Sequence, residues 1–290
     1  MNKIIYYTDS CSDITREEAQ KLGINILPVY YYFDNENIEY GDDVNITMRE
    51  FFDKIEQGGK PNTASCNIDI IYNNFKQEIE KGNDIICVNI SSKLSSCYNN
   101  CLIAANMVKE EYENAKIHVV DSLSGSLGQG LMIHNMLRKN IPFEEMIKKI
   151  EEEKNKYHIE FFVDDLSYLV RGGRLSKTGG FIGKTLNIKP LIGVNAEGSA
   201  VSILKVKGEK KTLNTLIDRM VNNIGDNEII GVVHSNSLDK AKILREKIEE
   251  LKIAKEIILS EITPTIASHV GPDAVGLAYK LKKPKQIDLN

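Results

Sequence analysis

Asp84 to Ser96 reads DIICVNISSKLSS, and this stretch decides the fold class. Asp84 to Ile90 has the profile of a buried strand, a short apolar run bounded by polar residues. Ser91-Ser92-Lys93-Leu94-Ser95-Ser96 is a hydroxyl-rich turn, and a helical stretch through Tyr98, Leu102 and Ala105 continues to about Tyr112. Strand, polar turn and helix in that order form the unit of a parallel sheet with helical crossovers. In such sheets ligands sit beyond the carboxyl ends of the strands, where these turns lie.

The unit recurs on both sides. Upstream, Lys3 to Tyr7 is strand-like, Thr15 to Leu22 is helical and stopped by Gly23, and Asn25 to Phe33 is a β-rich run. Thr47-Met48-Arg49-Glu50 is a capping box opening a helix that ends at Gly58-Gly59. After Pro61 a polar stretch, Asn62-Thr63-Ala64-Ser65, leads into a helix through Ile70, Phe75 and Ile79 to Gly82. Downstream, Lys116 to Asp121 is a strand ending in Ser122-Leu123-Ser124-Gly125. A charged helix from Pro142 to about Tyr157 separates two halves, and its Glu151-Glu152-Glu153-Lys154 reads as a solvated face. The second half opens with Glu160 to Asp164 and the loop Arg171-Gly172-Gly173-Arg174. A hairpin from Pro190 to Val206 turns at Glu197-Gly198. Helix 212–223, strand Glu228 to His234, helix 238–252 and strand Glu256 to Ile262 follow. The chain of 290 residues thus divides into an N-terminal parallel-sheet α/β domain, 1–157, and a C-terminal α/β domain, 158–290.

Composition narrows the function. Lys and Arg number 37 against 41 Asp and Glu, a net charge of −4 that gives no general attraction to phosphate backbones. Nucleic acid is therefore not an expected partner. Ile4 to Tyr7 is too short for the apolar segment of a secretory leader, and no run of ~18 apolar residues occurs. The five cysteines (Cys11, Cys66, Cys87, Cys97, Cys101) include no CxxC, and Cys97 and Cys101 share a helix face as buried thiols do. A cytoplasmic, monomeric protein with at most transient membrane contact is the expectation.

Several catalytic patterns fail. Gly183-Lys184-Thr185 lacks the earlier glycine of a phosphate loop, since position 178 is Thr178. Gly125, Gly128 and Gly130 reverse the spacing of a dinucleotide fingerprint and read better as close helix–sheet packing. No GxSxG or HExxH occurs, and no metal cluster is expected among the histidines. Asp9 reads as a cap on the turn that follows it, with a nucleophilic role as the alternative. What remains is a set of hydroxyls near turns: Thr63, Ser65, Ser92, Ser95, Ser96, Ser122 and Ser124. Singly each reads as a helix cap; together they suit a carboxylate or phosphate.

Across almost the whole chain the sequence resembles the DegV family. Thr8-Asp9-Ser10 with Asp13 is similar to its opening TDS-x-x-D, and Pro61-Asn62-Thr63 to its P-x-TS segment. Ile90 to Ser95 resembles its ISSxLSGTY loop, and Val120-Asp121-Ser122 with Gly128 and Gly130 its next element. Asp165 to Ser176 resembles the DxLxYLxxGGRIS stretch, the most specific match, with Ile188-Lys189-Pro190-Leu191 and His269-Val270-Gly271-Pro272 completing the order. Two segments depart from the pattern. TSQPS is Thr63-Ala64-Ser65-Cys66-Asn67 here, and LSGTY is Leu94-Ser95-Ser96-Cys97-Tyr98, each keeping its first hydroxyl.

The resemblance implies a two-domain α/β protein holding a long-chain fatty acid in a tunnel between its domains, with no other cofactor and no catalysis of its own. It implies a carboxylate held by Thr63 and Ser95, with His269 beside them and Ser92 in the same turn. It further implies presentation of that carboxylate to a separate fatty acid kinase, which makes an acyl phosphate for phospholipid synthesis. A hydroxyl pair would hold the head group without a salt bridge to lysine or arginine. Each buried methylene contributes ~0.8 kcal/mol, so the tail would dominate affinity. At least one of Arg171 and Arg174 is expected to face the pocket mouth and meet the kinase or its transferring phosphate; the alternative is that they pair with Asp164 or Asp165. The alternative function is a small-molecule enzyme acting on a phosphorylated or carboxylated metabolite, with Asp9, His269 and the hydroxyl turns as its site.

Overall fold

A computed structural model describes residues 2–34, 36, 38–41, 46–175, 188–226 and 229–286. The first half runs β1 (Ile4–Asp9), α1 (Arg16–Leu22), β2 (Ile24–Leu27), β3 (Tyr30–Phe33), β4 (Glu39–Tyr40) and α2 (Met48–Glu56). It continues with β5 (Pro61–Ala64), α3 (Ile68–Glu80), β6 (Asp84–Asn89), α4 (Cys97–Glu111), β7 (Ile117–Asp121) and α5 (Ser126–Leu137). After α6 (Phe143–Glu153) come β8 (Tyr157–Phe162), α7 (Ser167–Arg171), β9 (Ile188–Val194), β10 (Ala200–Lys207) and α8 (Glu209–Asn223). The chain closes with β11 (Ile229–His234), α9 (Leu238–Leu251), β12 (Glu256–Glu261), α10 (Pro264–Val270) and β13 (Val275–Lys280). Ser176, Thr178, Gly183-Lys184-Thr185 and Glu228 lie outside the described residues.

The four-stranded sheet, in the order β2-β1-β6-β7, is parallel throughout. Every residue of β6 is buried, as the apolar run Ile85-Ile86-Cys87-Val88 at its centre requires of a strand covered on both faces. Local signals are honoured: Thr15 caps α1, and Thr47 and Glu50 make both bonds of the capping box on α2. The run from Asn25 to Phe33 is not one strand. It divides around Pro28, which has no backbone N–H to give a ladder, and β3 joins a separate antiparallel sheet in the order β4-β3-β5. Pro61–Ala64, expected only as a polar lead-in, is the edge strand β5 of that sheet, with proline at the tolerated first position.

The six-stranded sheet has the order β10-β9-β8-β13-β11-β12, with antiparallel pairs except β11 with β12. Between it and the parallel sheet lies α5, buried from Ser126 through His134 and again at Met136. An added Cβ at Gly128 would stand 3.2 Å from Ile159 Cβ of β8, so that glycine permits the close approach. On the opposite side Gln129 Nε2 donates to Thr8 Oγ1 at 2.9 Å and to the Val88 carbonyl at 3.2 Å. One helix therefore packs both sheets. No helix among the described residues is long and apolar enough to cross a membrane.

Candidate functional site

A cavity opens where the turns after β1 and β6 face β8, β9 and α10. One end is polar, lined by Thr63, Ser95, Arg174, Thr265 and His269, with Cys11 beside them. Apart from Ser126 the rest is apolar, with Ile90, Leu94, Ile159, Phe161, Val194 and Val270 among it. Ser126, Ile159, Phe161, Ile266 and Val270 also line a continuation that runs inward to Val233 and Ala274.

Strand pairing and helix docking bring the polar groups together. Thr63 sits on β5 opposite Tyr31 of β3. His269, near the end of α10, places Nε2 2.8 Å from Thr63 Oγ1, a contact spanning 206 positions of sequence. The first half holds α10 in place: Asp13 Oδ1 accepts from the Thr263 backbone N–H at 2.8 Å, and Thr265 Oγ1 donates to the Val29 carbonyl at 3.2 Å. Burial raises the Asp13 carboxyl to about 7, against the hydrogen bonds from Ser126 and Thr263 that favour its charged form. Ser95 lies at the entrance of α4, where its Oγ accepts from the Cys97 N–H at 3.3 Å and donates to Cys97 Sγ at 3.2 Å.

His269 is uncharged at neutral pH. Burial, then the Arg174 and Arg171 guanidinium groups, lower its pKa to about 3. Its Nδ1 has no hydrogen-bond partner among the described residues. Gly172 lies against that atom; an added Cβ there would come within 2.3 Å of it. With the proton on Nε2, the imidazole donates to Thr63 Oγ1 and leaves the Thr63 hydroxyl proton free to donate elsewhere.

Arg174 changes the expected electrostatics. The sequence reading has a head-group site without a cation, yet this arginine lines the cavity. Its Nε donates to the Leu94 carbonyl at 2.9 Å, and Nη1 donates to the Gly172 carbonyl. Burial lowers its pKa, because a charged group loses hydration there. Neither Arg171 nor Arg174 pairs with Asp164 or Asp165. Asp164 binds Lys189, and Asp165 accepts from the Ser167 N–H at 2.8 Å. Arg171 is exposed, with its guanidinium carbon 5.1 Å from the centre of the Tyr168 ring and Nη2 3.5 Å from the Pro61 carbonyl.

The structure thus brings Thr63, Ser95, His269 and Arg174 together and leaves Ser92 apart. Ser92 does not line the cavity; its N–H donates to the Asp121 carboxylate at 3.3 Å. Asp9 is engaged as a cap. Its buried carboxylate accepts from the Cys11 and Ile90 N–H groups at 3.0 and 2.8 Å, and from Asn89 and Gln129 at 3.3 Å each. Sequence reasoning missed Cys11 and Thr265 in the lining, and no spacing marks either. Among the described residues no group of three or more His, Cys, Asp or Glu is placed to hold a metal ion.

Comparison with known proteins agrees with this architecture. Residues 3–282 match the family model described as "Uncharacterised protein, DegV family". A DegV domain-containing protein of Clostridium perfringens is 34% identical over 276 residues, covering 93% of this chain and 95% of its own. Among solved structures, a fatty-acid-binding DegV family protein from Thermus thermophilus is 26% identical with a TM-score of 0.85, covering 96% of this chain and 100% of its own. A stearic-acid-binding protein from Eubacterium ventriosum, also 26% identical, superimposes with a TM-score of 0.83 over 96% of this chain and 97% of its own. By the extent of the family match and its nearly full-length relative, the chain belongs to the DegV family.

Proposed function

We propose that this protein binds a long-chain fatty acid in the cavity and presents its carboxylate to a separate fatty acid kinase. One observation carries the reading: Thr63, Ser95, His269 and Arg174 meet in the lining of a cavity whose other walls are mostly apolar. Such a site suits a ligand with one charged end and a long hydrocarbon body. The fatty acids of the Thermus thermophilus and Eubacterium ventriosum relatives support the same ligand class here. Residues 1–157 supply the hydroxyls, and residues 158–290 supply much of the apolar wall and return His269 to the head group.

In this reading the tail provides most of the affinity, at ~0.8 kcal/mol per buried methylene. Thr63 and Ser95 donate to the carboxylate, and Arg174 supplies positive potential at the same end. Exposed Arg171 lies outside that grip, where a guanidinium fork can meet phosphate oxygens on a docked kinase. The protein itself acts as carrier rather than catalyst, in the cytoplasm and as a monomer.

Organic extraction of the purified protein followed by mass spectrometry tests the ligand. A fatty acid recovered in proportion to protein is the expected result. A protein free of lipid that also fails to take up added oleic acid overturns it. Acyl-phosphate formation with a fatty acid kinase and ATP, dependent on this protein, tests the presentation step separately.

A further inference from the structure

Cys66 and Cys97 stand in the two segments that carry Thr63 and Ser95, at the points where both segments depart from the family pattern. Cys66 follows β5, and Cys97 opens the 15-residue α4. Their sulfurs lie 3.3 Å apart. Cys97 Sγ also receives the Ser95 hydroxyl at 3.2 Å and lies 3.3 Å from Ser65 Oγ. Asn100, on the same helix, donates to the Cys66 carbonyl at 2.8 Å and to Ser65 Oγ at 3.2 Å, which holds the two segments in register. A disulfide is ~2.05 Å long, so bond formation asks for about 1 Å of approach.

The two thiols differ. The hydrogen bond with Cys66 holds the Cys97 thiol below its ordinary pKa against the opposing effect of burial, and the helix N-terminus acts in the same direction. That hydrogen bond and burial push the Cys66 thiol well up. Cys97 is therefore the nucleophile and Cys66 the partner that keeps its proton. Cys66 and Ser65 border an open groove with Tyr30 and Asn100, and the buried Cys97 sulfur lies 3.3 Å from each of them, so a small oxidant reaches it past these two side chains. Cys87 and Cys101, as buried as Cys66 and Cys97, stand farther apart, with their sulfurs separated by 3.9 Å.

We propose that Cys66 and Cys97 form a reversible disulfide, made by a hydroperoxide and broken by a thiol, that tunes the carboxylate site through Ser95. The Cys97 thiolate attacks the hydroperoxide; the O–O bond breaks, Cys97 becomes a sulfenic acid, and the departing alkoxide or hydroxide takes the thiol proton. Cys66 sulfur then attacks Cys97 sulfur. The S–O bond breaks, and water leaves with the Cys66 proton. Two thiols are oxidised and one hydroperoxide is reduced to an alcohol (or water) and water.

The coupling rests on the proposed fatty-acid reading. In the dithiol form the Ser95 hydroxyl is engaged by Cys97 Sγ. The disulfide draws Cys97 Sγ toward Cys66 and releases the Ser95 hydroxyl to the ligand, so oxidation tightens binding by about tenfold, the equivalent of ~1.4 kcal/mol.

Hydrogen peroxide treatment of the intact protein, peptide mapping and oleic acid titration test this together. A 66–97 linked peptide, reversed by dithiothreitol, and a tenfold lower Kd for oleic acid are expected. The Cys66→Ala variant should form no link and show no tightening. Absence of the link while other thiols oxidise overturns the pair; a link with unchanged Kd overturns the coupling. Should neither redox form bind oleic acid, the fatty-acid reading and its coupling fail, while the peptide map still decides the pair.

Discussion

The two ends of the cavity are built by different means. The polar end gathers single residues from β5, the turn before α4, the loop after α7 and α10, joined by hydrogen bonds across long sequence separations. The apolar wall takes neighbouring residues from regular strands, Ile159 and Phe161 on β8 and Val194 and Ala200 across the β9–β10 hairpin. A wall made of sheet tolerates change by repacking, because hydrophobic volume is what it must supply. A head-group site made of loops depends on each donor's position. The wall should therefore govern whether a chain binds, and the polar end how it is held.

Blocking the wall is expected to have the largest effect. Ala200 is partly exposed and lines the cavity, so Ala200→Trp fills space without opening the core. Excluding three or four methylenes at ~0.8 kcal/mol each lowers fatty-acid affinity roughly a hundredfold. Calorimetric titration with oleic acid measures it; unchanged affinity would mean the acyl chain runs elsewhere.

Next come the donors. Thr63→Ala or Ser95→Ala should each weaken binding by about ten- to a hundredfold, since a hydrogen bond to a charged group is worth ~1.5–3 kcal/mol. The double variant should fold and yet lose kinase-dependent acyl-phosphate formation, because its carboxylate has no fixed orientation. A ligand-bound structure with the carboxylate remote from both hydroxyls would break the comparison at its polar end.

The uncharged His269 makes a smaller effect, on stability. Its pKa is about 3 in the folded protein, against ~6.5 in an unfolded chain. Between those values the unfolded state binds a proton that the native state does not. Stability is therefore full above ~6.5 and falls as pH drops toward about 3, by at most ~1.4 kcal/mol per pH unit. Asp13, raised to about 7, has the opposite slope, so the difference between wild type and His269→Gln is the quantity to follow. Urea unfolding at pH 7 and pH 5 should show a gentler acid loss in the variant, and parallel losses would sink the idea.

Arg171→Ala should have the smallest effect on the ligand. The exposed side chain leaves oleic acid binding and stability within about 0.5 kcal/mol of wild type while acyl-phosphate formation falls. Equal loss of binding and turnover would place Arg171 in the head-group grip instead.

Legibility in the sequence follows the same division. β6, α4, the capping box of α2 and the β9–β10 hairpin were readable because period, length and turn chemistry agree locally. Helix α5 was not: SLGQGLMIHNML is buried on nearly every side, polar residues included, and contains two glycines, so no amphipathic stripe marks it. Strand β5 was missed because Pro61-Asn62-Thr63-Ala64 has neither alternation nor β-branched enrichment. Thr63 and Ser95 were located through the family resemblance and the hydroxyl turns, but their meeting with His269 depends on how α10 docks, which no local pattern encodes. The alternative in which the arginines pair with Asp164 or Asp165 is not realised, for the same reason: proximity in sequence does not say which partner the loop meets.

The placement of α5 has a consequence for how the molecule comes apart. Because its flanks are shared, with Leu127 against Gly231 of β11 and Gln129 bonded to Thr8 of β1, neither sheet can keep its covering once the other dissolves. Melting one half would strand an oily cylinder with one bare flank, a state poorer than either the intact protein or the open chain. The molecule should therefore lose its structure in a single cooperative step, with one calorimetric peak in place of two.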